Sequence, residues 1–150
     1  MTEMTIPITG GCLCGAVRYE ASEPPKDSDY CHCSMCQRWS GAPAWPAVAF
    51  PFAAFRITRG EPKFYQSSPK VDRGFCSDCG SALFMRYPET DEFCVSIGSL
   101  DDAANAPPRR HVGIESQLPW FVLADGLPRI RSDEEPGTPG YEAAATQRDG

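Results

Sequence analysis

Seven of the eight cysteines fall in three short clusters, and this spacing constrains the fold more than any other feature of the chain. The clusters are Cys12-x-Cys14, Cys31-x-Cys33-x-x-Cys36 and Cys76-x-x-Cys79. Cysteine pairs at such spacing are typical of zinc sites. A structural zinc is closed by four protein ligands, whereas a catalytic zinc keeps one position open. Seven thiols therefore suggest one closed site and one open site.

The simplest partition joins the two cysteine pairs around one metal and leaves the triplet for a second. The first site would use Cys12, Cys14, Cys76 and Cys79, and Gly80 suits the tight turn after its last ligand. The second site would use Cys31, Cys33 and Cys36. Four thiolates favour zinc, although iron in a similar cage is chemically reasonable. Cys94, His32 and His111 are each candidates for a fourth ligand of the second site.

Composition narrows the functional classes. The N-terminal sequence MTEMTIPITGG has no apolar core of a signal peptide, and no run of about 18 apolar residues predicts a membrane span. We therefore expect a cytoplasmic protein, in which clustered cysteines bind metal more often than they form disulfides. The net charge is -6 without a basic stripe, which argues against nucleic acid as the main partner.

Fifteen prolines and thirteen glycines divide the chain into short segments, several of which alternate like strands. The predicted strands are 16–20, 47–50, 55–58, 63–66, 82–87 and 93–98. In the last, Phe93, Val95 and Ile97 share a face and Cys94 points the other way. We expect turns at EPPKDSD and RGEPK, and an irregular segment, 99–128, that packs on the body through Trp120, Phe121 and Val122.

Together these stretches resemble a known family. GGCLCGAVRYE, YCHCSMCQRWSGAPAW, RGFCSDCGSAL, VSIGSLDD and HVGIESQLPWF are similar to the glutathione-dependent formaldehyde-activating enzyme (GFA) family, which also includes centromere protein V. The resemblance covers residues 10 to about 128. It implies a mostly β chain with a β-tent fold of short antiparallel strands pinned by a four-cysteine zinc. The domain would span 1–130, followed by a polar tail, 131–150.

The resemblance also implies roles for the clusters. Cys12, Cys14, Cys76 and Cys79 would hold the structural zinc, and Cys31, Cys33 and Cys36 the catalytic one. The family's characterised activity adds glutathione to formaldehyde and gives S-hydroxymethylglutathione. We therefore expect a carbon–sulfur lyase that acts on a small thiol–aldehyde adduct, because metal coordination deprotonates a bound thiol.

Glutathione carries carboxylates, so its pocket needs cations. Arg38, Arg73, Arg109 and Arg110 are candidates, because a guanidinium forms paired hydrogen bonds with a carboxylate. We expect Arg38 and Trp39 to bind the substrate, and Trp39 and Trp45 to wall the pocket. Two alternatives remain open: a zinc-stabilised binding module without catalysis, and a redox or metal-storage role for the crowded triplet.

Overall fold

The computed structural model describes residues 4–134, in which short strands dominate. The strands are β1 (Ile8–Gly11), β2 (Arg18–Ala21), β3 (Asp27–Cys31), β4 (Trp45–Pro51), β5 (Phe55–Arg59), β6 (Lys63–Ser68), β7 (Val71–Phe75), β8 (Ala82–Arg86), β9 (Glu92–Ser96), β10 (Arg110–Val112) and β11 (Arg129–Ile130). Among the described residues, one α-helix, α1 (Ser34–Ser40), follows β3 directly. The remaining helical segments are single 3-10 turns.

The strands form two sheets of different size. The small sheet has the order β1-β2-β5, and the large sheet has the order β11-β10-β3-β4-β9-β8-β7-β6. Most neighbouring strands are antiparallel; β10 instead runs parallel to both β3 and β11. The prediction of a mostly β chain with antiparallel sheets is confirmed.

Each face of the large sheet carries its own apolar cluster, because successive side chains of a strand point to opposite faces. The first cluster lies against the small sheet and includes Tyr19, Phe50 and Phe84. The second lies on the opposite face and contains the three clustered cysteines together with Trp45 and Met85. The fold therefore encloses the cysteine triplet in an apolar environment of its own.

Each of the six predicted strands overlaps an observed one, with ends that differ by a few residues. In β9, Phe93 and Val95 lie in the first cluster and Cys94 packs on the second, as the alternation predicted. The turn predicted at EPPKDSD is wrong in its second half, because β3 begins at Asp27. Asp27, Ser28 and Asp29 are all polar, so this stretch lacks the alternation of apolar and polar residues that predicts a strand.

The segment 99–128 packs on the body differently from the prediction. Trp120 and Val122 are each 71% exposed, so these two side chains do not anchor it. Phe121 is half-buried and lies 5.9 Å from the ring of His32. Of the predicted tail, 135–150 lies outside the described residues, while Ser132 is buried and bonds the carboxylate of Glu115. No helix within residues 4–134 is long and apolar enough to cross a membrane.

Candidate metal centres and the adjoining cavity

The turn between β1 and β2 and the turn between β7 and β8 bring four cysteines together. The sulfurs of Cys12, Cys14, Cys76 and Cys79 all lie within 4.8 Å of one another. Two of the separations are 3.6 Å, from Cys12 to Cys14, and 3.8 Å, from Cys14 to Cys76. Tetrahedral zinc with bonds of about 2.3 Å needs sulfurs roughly 3.8 Å apart. The cluster therefore has the donor set and spacing that zinc requires.

Backbone hydrogen bonds shape both turns around these sulfurs. The amide of Gly80 donates to the carbonyl of Cys76 at 2.8 Å, and Gly80 has a φ of +78°, which favours glycine. Val17 donates its amide to the sulfur of Cys12 at 3.2 Å. The amide of Leu13 donates to the hydroxyl of Ser81 at 3.0 Å, so the two turns also contact each other directly. The cluster joins the small sheet to the large one.

The end of β3 and the start of α1 bring the cysteine triplet together. The sulfurs of Cys31, Cys33 and Cys36 lie within 4.8 Å of one another, and all three residues are buried. Cys33 caps the helix, because its sulfur accepts a hydrogen bond from the amide of Cys36 at 3.3 Å. A thiol thus fills the position that Ser, Thr, Asp or Asn usually occupies.

Among residues 4–134, none of the candidate fourth ligands joins this triplet. Cys94, His32 and His111 each fail to bring a donor atom within 4.8 Å of all three sulfurs. A metal bound at the triplet would therefore have three ligands from the described residues. This is the ligand number of a catalytic zinc site.

A buried arginine lies beside the triplet. Arg73 on β7 is 1% exposed, and its Nη1 donates to the sulfur of Cys36 at 3.5 Å. Its Nε donates to the hydroxyl of Ser67 at 3.1 Å, and its guanidinium lies 5.1 Å from the ring centroid of Trp39. Hydrogen bonds from Cys31 and Cys33, followed by the charge of Arg73, lower the pKa of the Cys36 thiol well below its ordinary value.

A cavity of about 440 Å³ adjoins the triplet. Its apolar wall includes Trp45, Met85 and Tyr87, and the triplet reaches it through Cys31. Asp27, Asp29 and Cys31 alternate along β3, and all three line the cavity. The lining also contains Asp91, Glu92, Lys26 and Arg110.

Negative charge predominates in this lining. Four carboxylates face two cations, and each cation already pairs with a carboxylate. Arg110 bonds Asp29 at 2.6 Å, and Lys26 lies 3.8 Å from Asp91. Burial, followed by the charge of Asp27, raises the pKa of Glu92. The cavity is therefore better suited to neutral or positively charged groups than to further carboxylates.

A chain of hydrogen bonds runs behind the triplet. Oδ2 of Asp125 lies 2.8 Å from Nε2 of His111, whose Nδ1 lies 2.7 Å from Nε2 of His32. We assign the tautomer in which each Nε2 donates toward the next acceptor. Burial lowers the pKa of His32 to about 4. The Nδ1 of His32 has no hydrogen-bond partner among the described residues.

The structure separates the residues predicted to bind substrate. Arg38 lies in the last turn of α1 with an exposed side chain. Trp39 is half-buried and packs edge-on against Trp45 at 5.0 Å. Arg109 lies at a different cavity, next to Pro107. A substrate-binding role for Arg38 and Trp39 stays a prediction.

Sequence reasoning missed the acidic lining and Asp125. The signal for the first was present, because DSDYC places Asp27, Asp29 and Cys31 at alternate positions of one segment. A strand interpretation of that segment would have put two carboxylates beside a proposed metal ligand. Asp125 carried no such signal, since it lies in a loop 14 positions after its partner His111.

The comparisons with known proteins agree with the motifs. The family model described as glutathione-dependent formaldehyde-activating enzyme matches residues 7–116. The chain belongs to this family. The match spans all seven clustered cysteines, so the resemblance seen in the sequence motifs is confirmed.

Three known proteins are similar to this GFA family member. A Halomonas elongata protein, provisionally named as a glutathione-dependent formaldehyde-activating enzyme, is 32% identical over 128 residues, covering 77% of this chain and 80% of the relative. An uncharacterized lyase of Schizosaccharomyces pombe is 36% identical over 81 residues, covering 52% and 56% of the two chains. A crystal structure of a Rhodobacter sphaeroides protein matches with a TM-score of 0.53 and 28% identity, covering 63% of this chain and 88% of that one.

Proposed function

We propose that this protein is a zinc-dependent carbon–sulfur lyase acting on a small thiol–aldehyde adduct, of which S-hydroxymethylglutathione is the family example. One observation carries the proposal: three buried cysteine sulfurs lie together at the edge of a cavity, with no fourth ligand from the described residues. The family match and the lyase name of one relative support an enzyme of this type.

In this proposal the four-cysteine site and the triplet have different roles. Cys12, Cys14, Cys76 and Cys79 hold a structural zinc, and Cys31, Cys33 and Cys36 hold a second zinc. A zinc bound at the triplet would supply the acidity that converts a substrate thiol to its thiolate at neutral pH. None of the eight cysteines forms a disulfide, and on this ground we propose a reducing compartment such as the cytoplasm.

The chain's own residues would orient the adduct and exclude water. Trp45, Met85 and Tyr87 provide an apolar wall against which the aldehyde carbon can pack. In the lyase direction the carbon–sulfur bond breaks, the electron pair stays on sulfur, and the hydroxyl proton leaves as the carbonyl forms. In the reverse direction the sulfur bonds the carbonyl carbon and the oxygen gains a proton. Neither direction consumes an oxidant or a reductant.

The charge of the cavity bears on which thiol it accepts. Glutathione brings carboxylates into a lining that already holds four, with both of its cations paired. A neutral or amine-bearing thiol meets no such repulsion. We therefore propose comparing formaldehyde adducts of glutathione, 2-mercaptoethanol and cysteamine as substrates.

The test combines metal content with turnover. We expect two zincs per chain by elemental analysis and release of formaldehyde from at least one adduct. Cys33→Ser should lose the second zinc and the turnover while it keeps the first zinc. Cys94→Ser, which also removes a thiol at the cavity, should keep both zincs because Cys94 does not join the triplet. One zinc and no turnover in the unaltered protein would favour the zinc-stabilised binding module instead.

A further inference from the structure

Arg73 is a buried cation whose partners are unusual. Its guanidinium contacts one hydroxyl, from Ser67, one sulfur, from Cys36, and the face of Trp39. Its Nη2 has no hydrogen-bond acceptor among the described residues. The side chain is almost completely removed from water, at 1% exposure. A guanidinium stays charged even when it is buried, because it is the most basic side-chain group in proteins.

A buried charge is costly unless an opposite charge lies next to it. Within residues 4–134, Arg73 forms no ion pair with a carboxylate, and its hydrogen-bond partners are Ser67 and Cys36. A hydroxyl and an indole ring are both neutral. The sulfur cluster is therefore the only group in the described chain that can supply the missing negative charge.

Counting charges shows how the cluster would do so. Three thiolates bring three negative charges and a divalent zinc removes two, which leaves one negative charge. The single positive charge of the guanidinium balances it. We infer that Arg73 is a positioning residue of the three-cysteine zinc site. Its positive charge balances the one negative charge of the zinc-loaded triplet through the contact with Cys36. This inference rests on the second zinc of the proposed function.

The location of Arg73 gives this balance a consequence for substrate binding. The guanidinium contacts Cys36, while the cavity meets the triplet at Cys31. The compensating charge therefore lies beside the metal site but does not line the cavity. An incoming thiolate adds a further negative charge, and Arg73 reduces the repulsion it meets without occupying its place. Groups that support metal ligands in this way typically change metal affinity by about 10–100-fold.

The experiment separates charge from packing. Arg73→Met removes the charge and keeps most of the length, Arg73→Gln keeps a hydrogen-bond donor for Ser67, and Arg73→Lys keeps the charge. Full-length variants are titrated with a chromophoric chelator to give the zinc affinity of each of the two sites. Cobalt substitution adds the sulfur-to-metal charge-transfer absorption, and subtracting the spectrum of Cys33→Ser leaves the contribution of the second site.

We expect Arg73→Met and Arg73→Gln to weaken the second zinc by at least about tenfold. The zinc at Cys12, Cys14, Cys76 and Cys79 serves as an internal reference and should not change. Arg73→Lys should recover most of the affinity and the cobalt absorption of the unaltered protein. Neutral variants that hold the second zinc as tightly as the unaltered protein would overturn the inference and leave the proposed function standing.

Other outcomes are equally decisive. If Arg73→Lys binds the second zinc as weakly as Arg73→Met, packing rather than charge explains the effect. If neither neutral variant folds, Arg73 is a structural anchor and the inference is wrong. If the unaltered protein takes up only one zinc, the balancing charge is a metal-free thiolate of Cys36, and both the inference and the second site of the proposed function fail.

Discussion

Replacing Cys14 by serine tests whether the four-cysteine metal site stabilises the fold, at the most exposed of its ligands. The side chain of Cys14 is exposed, in the turn between β1 and β2. Substitution of an exposed residue without a special role usually changes the free energy of unfolding by less than about 0.5 kcal/mol. A large effect at this position therefore has to come from the metal site.

The sequence separation of the ligands gives the magnitude. Cys14 and Cys76 are 62 positions apart. The chain-entropy relation for a cross-link that closes such a loop gives about 4 kcal/mol, which lowers the melting temperature of a 150-residue chain by about 10 °C. The triplet from Cys31 to Cys36 closes only six residues, and the same relation gives about 2 kcal/mol. Opening the four-cysteine site should therefore cost more stability than opening the triplet.

The assay is thermal unfolding by circular dichroism, with zinc per chain measured on the same samples. Leu13→Ser is the matched control, because Leu13 is 89% exposed in the same turn and cannot bind zinc. We expect Cys14→Ser to unfold about 10 °C lower and Leu13→Ser to stay close to the unaltered protein. Equal melting temperatures for the two variants would refute a stabilising metal cross-link at the four-cysteine site. A larger loss in Cys33→Ser than in Cys14→Ser would refute the division of labour between the clusters.

Three further predictions concern the framework. In urea unfolding, Gly60→Ala should lower the free energy of unfolding by about 1–3 kcal/mol more than Gly41→Ala. Both glycines have a φ of +74°, but only at Gly60 would a Cβ meet a backbone atom, the oxygen of Ala16, at 2.1 Å. Equal losses for the two variants would contradict this clash. Phe84→Ala should cost about 3–5 kcal/mol, since the ring is completely buried between the sheets, and a loss below about 1 kcal/mol in the same assay would contradict this. Burial lowers the pKa of His32 to about 4, so the unfolded chain binds the proton first and stability falls as the pH drops from about 6.5 toward 4. Between pH 7 and pH 5 the unaltered protein should lose about 1–2 kcal/mol more than His32→Gln, and equal losses would show that this histidine is not the cause.

The cysteine grouping was predictable from the sequence because it depends on spacing alone. Pairs separated by one or two residues can bind one metal whatever the surrounding fold, so two pairs and a triplet define the groups before any strand is known. The six predicted strands carry alternating apolar side chains, and they appear as observed strands for that reason.

What could not be predicted depends on polar side chains that face an interior cavity. β3 carries Asp27, Ser28 and Asp29, which resemble a turn when only hydrophobicity is considered. The helix α1 has seven residues and a cysteine cap, so it lacks the usual start signals. Arg73 was a candidate for binding a substrate carboxylate, and its burial against a sulfur follows from tertiary packing that no local pattern records.

The separation of the four ligands along the chain also sets the order in which a newly made protein can be completed. With both clusters loaded as proposed, the triplet is whole within six residues of synthesis, whereas Cys12 and Cys14 must wait until Cys79 has been added. At translation rates of about 5–20 residues per second, that interval is on the order of 3–13 s. Until then the thiols of Cys12 and Cys14 would be open to oxidation or to the wrong metal, and their turn would lack its contact with Ser81 in the turn between β7 and β8. Under the proposed zinc loading, production of the intact protein would depend on the redox state and zinc supply around the ribosome during those seconds.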